Sequence, residues 1–329
     1  MSVNFDQYVE EPPFVGLLQF EPSTACDGSC TFCPHPKLKR KGTASWSTLL
    51  EIIDTCAPHA GSACPFLMGE PLLEPRLTAI LDNLKQVNPK IQTHIYTNFY
   101  SMTQQKAQEL IEQQLLDLIT VSFYGPTPEL YAKYQPGFKW EQTRSNIKDF
   151  MQLRRKMGYL KPRVQMHYIA LPDLYKVYPA YLDEWTGIVD QVGATVYRSH
   201  TQQENVESEL WQKIIHGVHA PMRVPCARIW SGFYVLCNGD VVPCSGDCEG
   251  ENVLGNINSC YKPQDIWHGE KAKAFRQLHV EQRQKEIPMC QNCNYWKYEM
   301  PRDWVQYWMN HYAGKPILLE SLKTRGIAN

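Results

Sequence analysis

The chain has 329 residues, 43% of them hydrophobic and 20% charged, with a formal net charge of −1. That is enough chain to bury a large core, as one big domain or a big one and a small one. The near-neutral charge argues against a nucleic-acid or membrane-surface partner, and no run approaches the roughly 18 apolar residues that a membrane span needs.

The opening stretch, MSVNFDQYVEEPP, is polar and acidic and has no apolar centre, so it does not read as a secretory signal. A cytoplasmic location is expected. There, the 12 cysteines stay reduced and serve metals or catalysis rather than disulfides. They fall in two groups, with none between Cys64 and Cys226, which predicts two separate cysteine-dependent sites.

In chain order, 14–20 (FVGLLQF) reads as a short apolar strand. It feeds a Pro-, Gly- and Ser-containing loop over 22–34. The basic run Lys37 to Lys41 is expected on a solvated surface. Residues 45–59 have helical period, with Ser47 as a candidate cap and Cys56 as a small apolar packing residue. Strand and helix then alternate. Strands are expected at 63–68, 91–97, 116–123, 163–171 and 194–198. Helices are expected at 75–87, 103–114 (Thr103 as N-cap), 140–156 and 179–192. Such alternation predicts a parallel α/β sheet with right-handed crossovers. Chemistry in such sheets sits at the C-terminal strand ends. The cysteine loop, Gly69-Glu70, Thr97-Asn98, Ser122, His167 and Arg198 all fall at or near those ends.

The chemistry is densest at Cys26-Asp-Gly-Ser-Cys30-Thr-Phe-Cys33. Three thiolates suit a cubic iron–sulfur cluster and leave one iron open, which a structural site would not do. Zinc is the competing reading, although it prefers four ligands and CxxC pairs. Downstream, Asn238-Gly239 is a strong hairpin signal between apolar runs. The hairpin would bring Cys244 toward Cys226, and a helix over 263–286 would return the chain to Cys290 and Cys293. Those four thiols would form a closed site, with a zinc ribbon as its alternative.

The C-x3-C-x2-C spacing with Phe32 before the last cysteine resembles the radical S-adenosylmethionine (radical SAM) superfamily. The C-terminal pattern, with NGDVVPC, LGNI, DIW and CxxC, resembles the SPASM/twitch extension of that family in its short form. The resemblance implies a partial (β/α)6 TIM-like barrel over 1–205, a small iron–sulfur domain over 206–300 and a helical tail over 301–329. The tail carries Trp304, Tyr307, Trp308 and Tyr312 at helical spacing. It implies a SAM-binding [4Fe–4S] cluster on Cys26, Cys30 and Cys33, and an auxiliary [4Fe–4S] cluster on Cys226, Cys244, Cys290 and Cys293. Gly69 and Glu70 match the motif for the SAM amino group, with Met68 replacing a first glycine. Thr97 and Asn98 match a TNG element in which Phe99 replaces the glycine. Ser122 matches a strand-4 contact, and His167 is a further candidate.

The implied activity is reductive cleavage of SAM and hydrogen-atom abstraction from a polar substrate. A flavodoxin- or ferredoxin-type protein would donate the electron. The substrate is expected to be a sugar or aminocyclitol, with a peptide as the alternative, and the outcome is oxidation or epimerisation. An electron carrier without catalysis is the reading from another class. Arg198 and Asp247 are candidates to position or deprotonate an alcohol. Cys248, in the polar loop SGDCEGEN, has three readings: hydrogen donor, cluster ligand or bystander.

Overall fold

The computed structural model describes residues 14–196 and 225–297, apart from positions 15, 171, 260, 261 and 294. Arg198, Cys260, the expected domain boundaries near 205 and 300, and the 301–329 tail lie outside the described residues.

Six parallel strands follow one another in space as in sequence: β1 (Leu17–Phe20), β2 (Ser62–Cys64), β3 (Gln92–Thr97), β4 (Leu118–Ser122), β5 (Arg163–Ala170) and β6 (Gln191–Val196). The connecting helices are α1 (Trp46–Cys56), α2 (Leu77–Val87), α3 (Gln104–Gln113), α4 (Pro128–Tyr134), α5 (Trp140–Lys156) and α6 (Tyr178–Trp185). Each connection is long enough for a helix, as parallel neighbours require. This is the parallel α/β sheet that the alternation implied, in the partial barrel that the family resemblance implied.

The second module continues the same sheet. Strand β7 (Gly232–Val235) pairs in parallel with β1, from Leu17 opposite Gly232 to Phe20 opposite Val235. Strands β8 (Asp240–Val242) and β9 (Gly255–Asn256) then add antiparallel. Nine strands thus run in the order β6-β5-β4-β3-β2-β1-β7-β8-β9. Gly239 takes φ +88° at the hairpin turn, as the Asn-Gly pair predicts. Helices α7 (Pro263–Trp267) and α8 (Glu270–Val280) follow.

Local chemistry sets several boundaries that periodicity alone does not. Strand β2 stops at Cys64 because Pro65 has no N–H for the ladder. The cap of α1 is Ser45, whose hydroxyl accepts the Thr48 N–H at 3.0 Å, not Ser47. Thr103 caps α3 as expected. The helix expected over 179–192 ends at Trp185, because Gly187 turns the chain at φ +80° into β6. The expected 263–286 helix breaks at His268-Gly269 into α7 and α8. Helix α4, with Thr127 as its cap, was not expected.

Among the described residues, two of three apolar clusters form most of the core. One lies under β3–β5 and includes Ile95, Ile119, Val164, Phe150 and Trp185. The other joins both modules: Leu18, Phe20 and Ile53 pack with Phe233, Val235 and Trp267. At the C-terminal end of β1, the fully buried Glu21 pairs with Arg40 through both guanidinium NH groups. Its oxygens also accept the Met68 and Cys237 N–H groups, each at 3.1 Å. Lys37, Lys39 and Lys41 are exposed as the basic run predicts, but Arg40 turns inward. Removing one partner of a buried ion pair strands the other charge. Arg40→Met is therefore expected to cost about 3–5 kcal/mol of stability, read by chemical denaturation. A loss below about 1 kcal/mol would mean that Glu21 is not held as a charged hub.

Candidate active site

The cysteine loop is closed at its neck and braced from two neighbouring strands. Thr24 N–H donates to Gly42 O at 2.9 Å, and Gly42 N–H returns to Thr24 Oγ1 at 2.9 Å. The buried His35 ring reaches back through Nε2 to Thr24 O at 2.6 Å. Cys26, Cys30 and Cys33 are half-buried on this loop and close enough to act on one another electrostatically. Burial first, and then neighbouring charge, pushes Cys26 and Cys30 up to about 12. Gly28 N–H donates to Cys26 Sγ at 3.4 Å.

The GEP segment braces the loop from β2. Gly69 has φ +102°, and a Cβ there would sit 2.5 Å from Ser23 O and 2.9 Å from Ala25 O. The close approach that this glycine permits is therefore to the cysteine loop itself. The next N–H, of Glu70, donates to Ala25 O at 2.7 Å. The buried Glu70 carboxylate accepts from Leu72 N (2.9 Å), Thr97 Oγ1 (2.6 Å) and Asn98 N (2.8 Å). Desolvation raises its pKa to about 7 despite these bonds.

Thr97 and Asn98 continue the network from β3. Asn98 Nδ2 donates to Asp27 Oδ1 at 2.8 Å, so the end of β3 is tied to the residue after Cys26. Phe99 takes φ +62°, the left-handed conformation that a glycine adopts freely. The backbone shape of the TNG element survives without its glycine, and the Phe99 ring is buried 5.5 Å from Phe150. At the end of β4, the Ser122 carbonyl accepts from Gln135 Nε2 at 3.0 Å. His167 lies edge-on to Tyr96 (6.3 Å) and Tyr124 (6.2 Å), in the aromatic wall inside the barrel.

The second thiol set also converges. Cys226, Cys244, Cys290 and Cys293 line one cavity with Arg228 and Tyr295. Cys244 is held well above an ordinary thiol, by burial first and then by Cys290, Cys226 and Cys293; Arg228 opposes the shift. Arg228 lies 4.4 Å above the Tyr295 ring, a cationic neighbour that nothing in the cysteine spacing announces.

Two of the expected catalytic side chains differ from the sequence picture. Cys248 is not an exposed loop thiol: it is 1% exposed and packs with Leu38, Leu67, Met68 and Tyr234. Burial pushes it up to about 12, and the charges acting on it are Glu249, Arg40 and Asp247. The Asp247 carboxylate is buried and accepts the Glu251 N–H (2.9 Å) and the Asn252 N–H (2.8 Å), so it holds its own loop together. Cys56 and Cys64 are fully buried.

Comparison with known proteins agrees with this geometry. The radical SAM superfamily profile matches residues 20–164, and an iron–sulfur cluster-binding (SPASM) domain profile matches 226–294. The S-adenosyl-L-methionine-dependent 2-deoxy-scyllo-inosamine dehydrogenase of Niallia circulans is 24% identical over 283 residues, covering 84% of this chain and 92% of that one. Among solved structures, BtrN in complex with AdoMet and 2-DOIA superposes with a TM-score of 0.55 at 20% identity, over 85% of this chain and 93% of that one. Native anSMEcpe with bound AdoMet and Cp18Cys peptide gives 0.63 at 17% identity, over 96% and 99%.

The donor sets fit the cofactors of that family. Both are all-thiol, the soft chemistry that iron–sulfur clusters select. Three donors on the rim would leave one iron open, whereas four in the second cavity would close a cluster. Among the described residues, no group of three or more His, Cys, Asp or Glu is placed to hold a single metal ion.

Gly69→Ala would force its Cβ into the cysteine-loop carbonyls from a backbone conformation that disfavours side chains. The reconstituted variant is expected to hold about half the iron of the parent, losing the rim cluster and keeping the other. Full iron content would contradict the bracing role. Residues 20–164 thus match the radical SAM superfamily, and residues 226–294 match a SPASM iron–sulfur domain built onto the edge of the same barrel sheet.

Proposed function

We propose that this enzyme oxidises a polar, hydroxylated small molecule of the sugar or aminocyclitol class. Cys26, Cys30 and Cys33 hold the SAM-binding cluster, and Cys226, Cys244, Cys290 and Cys293 hold the auxiliary one. The observation that carries this reading is the second thiol cavity, set in a module whose strands belong to the barrel sheet. An electron acceptor there keeps a fixed position relative to the rim. The substrate class follows from the Niallia circulans relative, a dehydrogenase of 2-deoxy-scyllo-inosamine.

When bound, SAM and the reduced rim cluster supply a 5′-deoxyadenosyl radical that takes a hydrogen atom from an unactivated C–H bond. The protein's part is placement. Glu70 Oε2 accepts one backbone bond and keeps capacity for the SAM ammonium. Thr97 and Asn98 hold that carboxylate in place, and Ser122 and His167 offer polar contacts from the next two strands. Arg198 and Asp247 act on the substrate alcohol side, Asp247 by shaping the loop that carries Cys248. A flavodoxin- or ferredoxin-type protein delivers the electron, in the cytoplasm.

A second reading has support in Cys248. Its thiol, kept protonated by burial, lies beside Met68 of the rim, which suits a hydrogen-atom donor in an epimerase. A peptide substrate is the counterpart suggested by the peptide-bound anSMEcpe structure. One assay separates these outcomes. Anaerobically reconstituted enzyme, dithionite, SAM and a panel of aminocyclitols and sugars in deuterated water should yield 5′-deoxyadenosine and a product lighter by two hydrogens. A product of unchanged mass apart from one carbon-bound deuterium would instead select epimerisation, and the absence of 5′-deoxyadenosine would sink both.

The raised Glu70 pKa gives a pH signature. The folded-state value of about 7 lies above the ordinary 4.5, so below pH 7 ligand-free Glu70 holds its proton and must release it to meet an ammonium. SAM affinity is expected to weaken about tenfold per unit as pH falls below 7. Glu70→Gln should weaken binding and flatten this dependence; an unchanged slope in the variant would assign the titration elsewhere.

A further inference from the structure

The four-thiol cavity is walled largely by apolar side chains, among them Phe275, Met289 and Trp296. His279 also lines it, and its Nδ1 accepts the Cys226 N–H at 3.4 Å, so that nitrogen carries no proton. Among the described residues lining the cavity, Arg228 alone bears a permanent charge. Its guanidinium carbon lies 4.4 Å from the centre of the Tyr295 ring. Its Nη1 donates to Ser245 Oγ. Both anchors are buried.

The anchors belong to the stretches that supply the thiols. Arg228 is two residues after Cys226, Ser245 follows Cys244, and Tyr295 is two residues after Cys293. The guanidinium is therefore held beside the thiol set, and a planar fork that stays charged suits both the stack and the hydrogen bond. The backbone donors to these thiols are neutral: Gly246 N–H to Cys244 Sγ at 3.3 Å, and Tyr295 N–H to Cys293 Sγ at 3.4 Å. Arg228 is the charge that a side-chain change can remove. The rim loop carries the opposite sign. Asp27 lies between Cys26 and Cys30, held through Oδ1 by Asn98 and through Oδ2 by Ser101.

Charge around an iron–sulfur cluster is among the determinants of its reduction potential. Reduction adds one negative charge. A fixed cation nearby favours the reduced state, and more strongly where apolar walls lower the local dielectric. We propose that Arg228, pinned by Ser245 and Tyr295, is a positioning residue whose charge raises the reduction potential of the auxiliary cluster, so that this cluster takes up an electron more readily. This rests on the assignment of Cys226, Cys244, Cys290 and Cys293 as its ligands. The couple is a one-electron reduction of the cluster, and no bond is made or broken at Arg228.

The test uses the full chain with both clusters reconstituted anaerobically. Parent, Arg228→Gln and Arg228→Lys are titrated with dithionite under potentiometric control and followed by electron paramagnetic resonance. The signal that added SAM alters marks the rim cluster, and the other marks the auxiliary one. Arg228→Gln keeps a donor for Ser245 but no charge. Its ratio of reduced to oxidised auxiliary cluster at a fixed potential should fall about tenfold, a midpoint ~59 mV more negative for a one-electron couple. The rim midpoint should not move. Arg228→Lys keeps the charge without the planar stack and should stay within about threefold of the parent. The gap between parent and glutamine variant should be the same at about pH 7 and pH 9, because a guanidinium stays charged at both. An unmoved auxiliary midpoint in the loaded glutamine variant, an equal shift in both variants, or a gap that closes with pH would each overturn the inference. Arg228→Met carries the comparison if the glutamine variant fails to load its auxiliary cluster; failure of both would make the role structural and overturn it too. A parent protein with the SAM-responsive signal alone would instead overturn the four-thiol assignment beneath it.

Discussion

Glu21 is where the two halves of this molecule meet. A carboxylate with no exposure is costly in a protein interior unless it is paired and its remaining acceptors are filled. Arg40 supplies the pair, and the Met68 and Cys237 N–H groups fill the rest. Those partners come from the return arm of the cysteine loop, the rim after β2 and the tip of the β7–β8 hairpin. Arg40 also donates through Nε to Cys248 O. One ion pair at the end of β1 thus fixes the radical-forming rim and the auxiliary module to the same point.

From that point the rim is assembled strand by strand. Gly69 lets β2's loop lie against Ser23–Ala25, Glu70 clamps the end of β3, and Asn98 returns to Asp27. Gln135, just after α4, ties in the end of β4 through Tyr124 N and Ser122 O. Together these contacts tie the cysteine loop to the ends of β2 and β3, and those strand ends to each other. A three-cysteine loop has little regular structure of its own, with only a 3-10 turn at His35–Lys37; these contacts are what give its thiols a defined spacing. Placement of this kind is what radical chemistry asks of a protein, since the cofactor supplies the reactive atom and the chain supplies orientation.

Much of this was legible in the sequence. The strand–helix alternation, the Asn-Gly hairpin and the two cysteine sets carry their geometry in spacing. What stayed hidden is non-local. Nothing in 232–235 marks it as a parallel partner of β1, because parallel pairing leaves no turn between the strands. Arg40 looked like one basic residue among several, since only its partner Glu21, a lone acid after an apolar strand, turns it inward. Gln135 sits in a Pro-Gly turn that reads as ordinary loop. The sequence neighbours of Cys248 are polar and do not announce its burial, while its neighbours in space are Leu38, Leu67, Met68 and Tyr234.

Under the proposed function, the rim makes the radical and the four-thiol cavity decides the substrate's fate. Cys290→Ala, which removes one of those thiols and leaves the rim untouched, measures that separation most directly. With SAM, dithionite and substrate, the variant should still form 5′-deoxyadenosine but should not release the product lighter by two hydrogens. Oxidised product at the parent's yield would contradict the account.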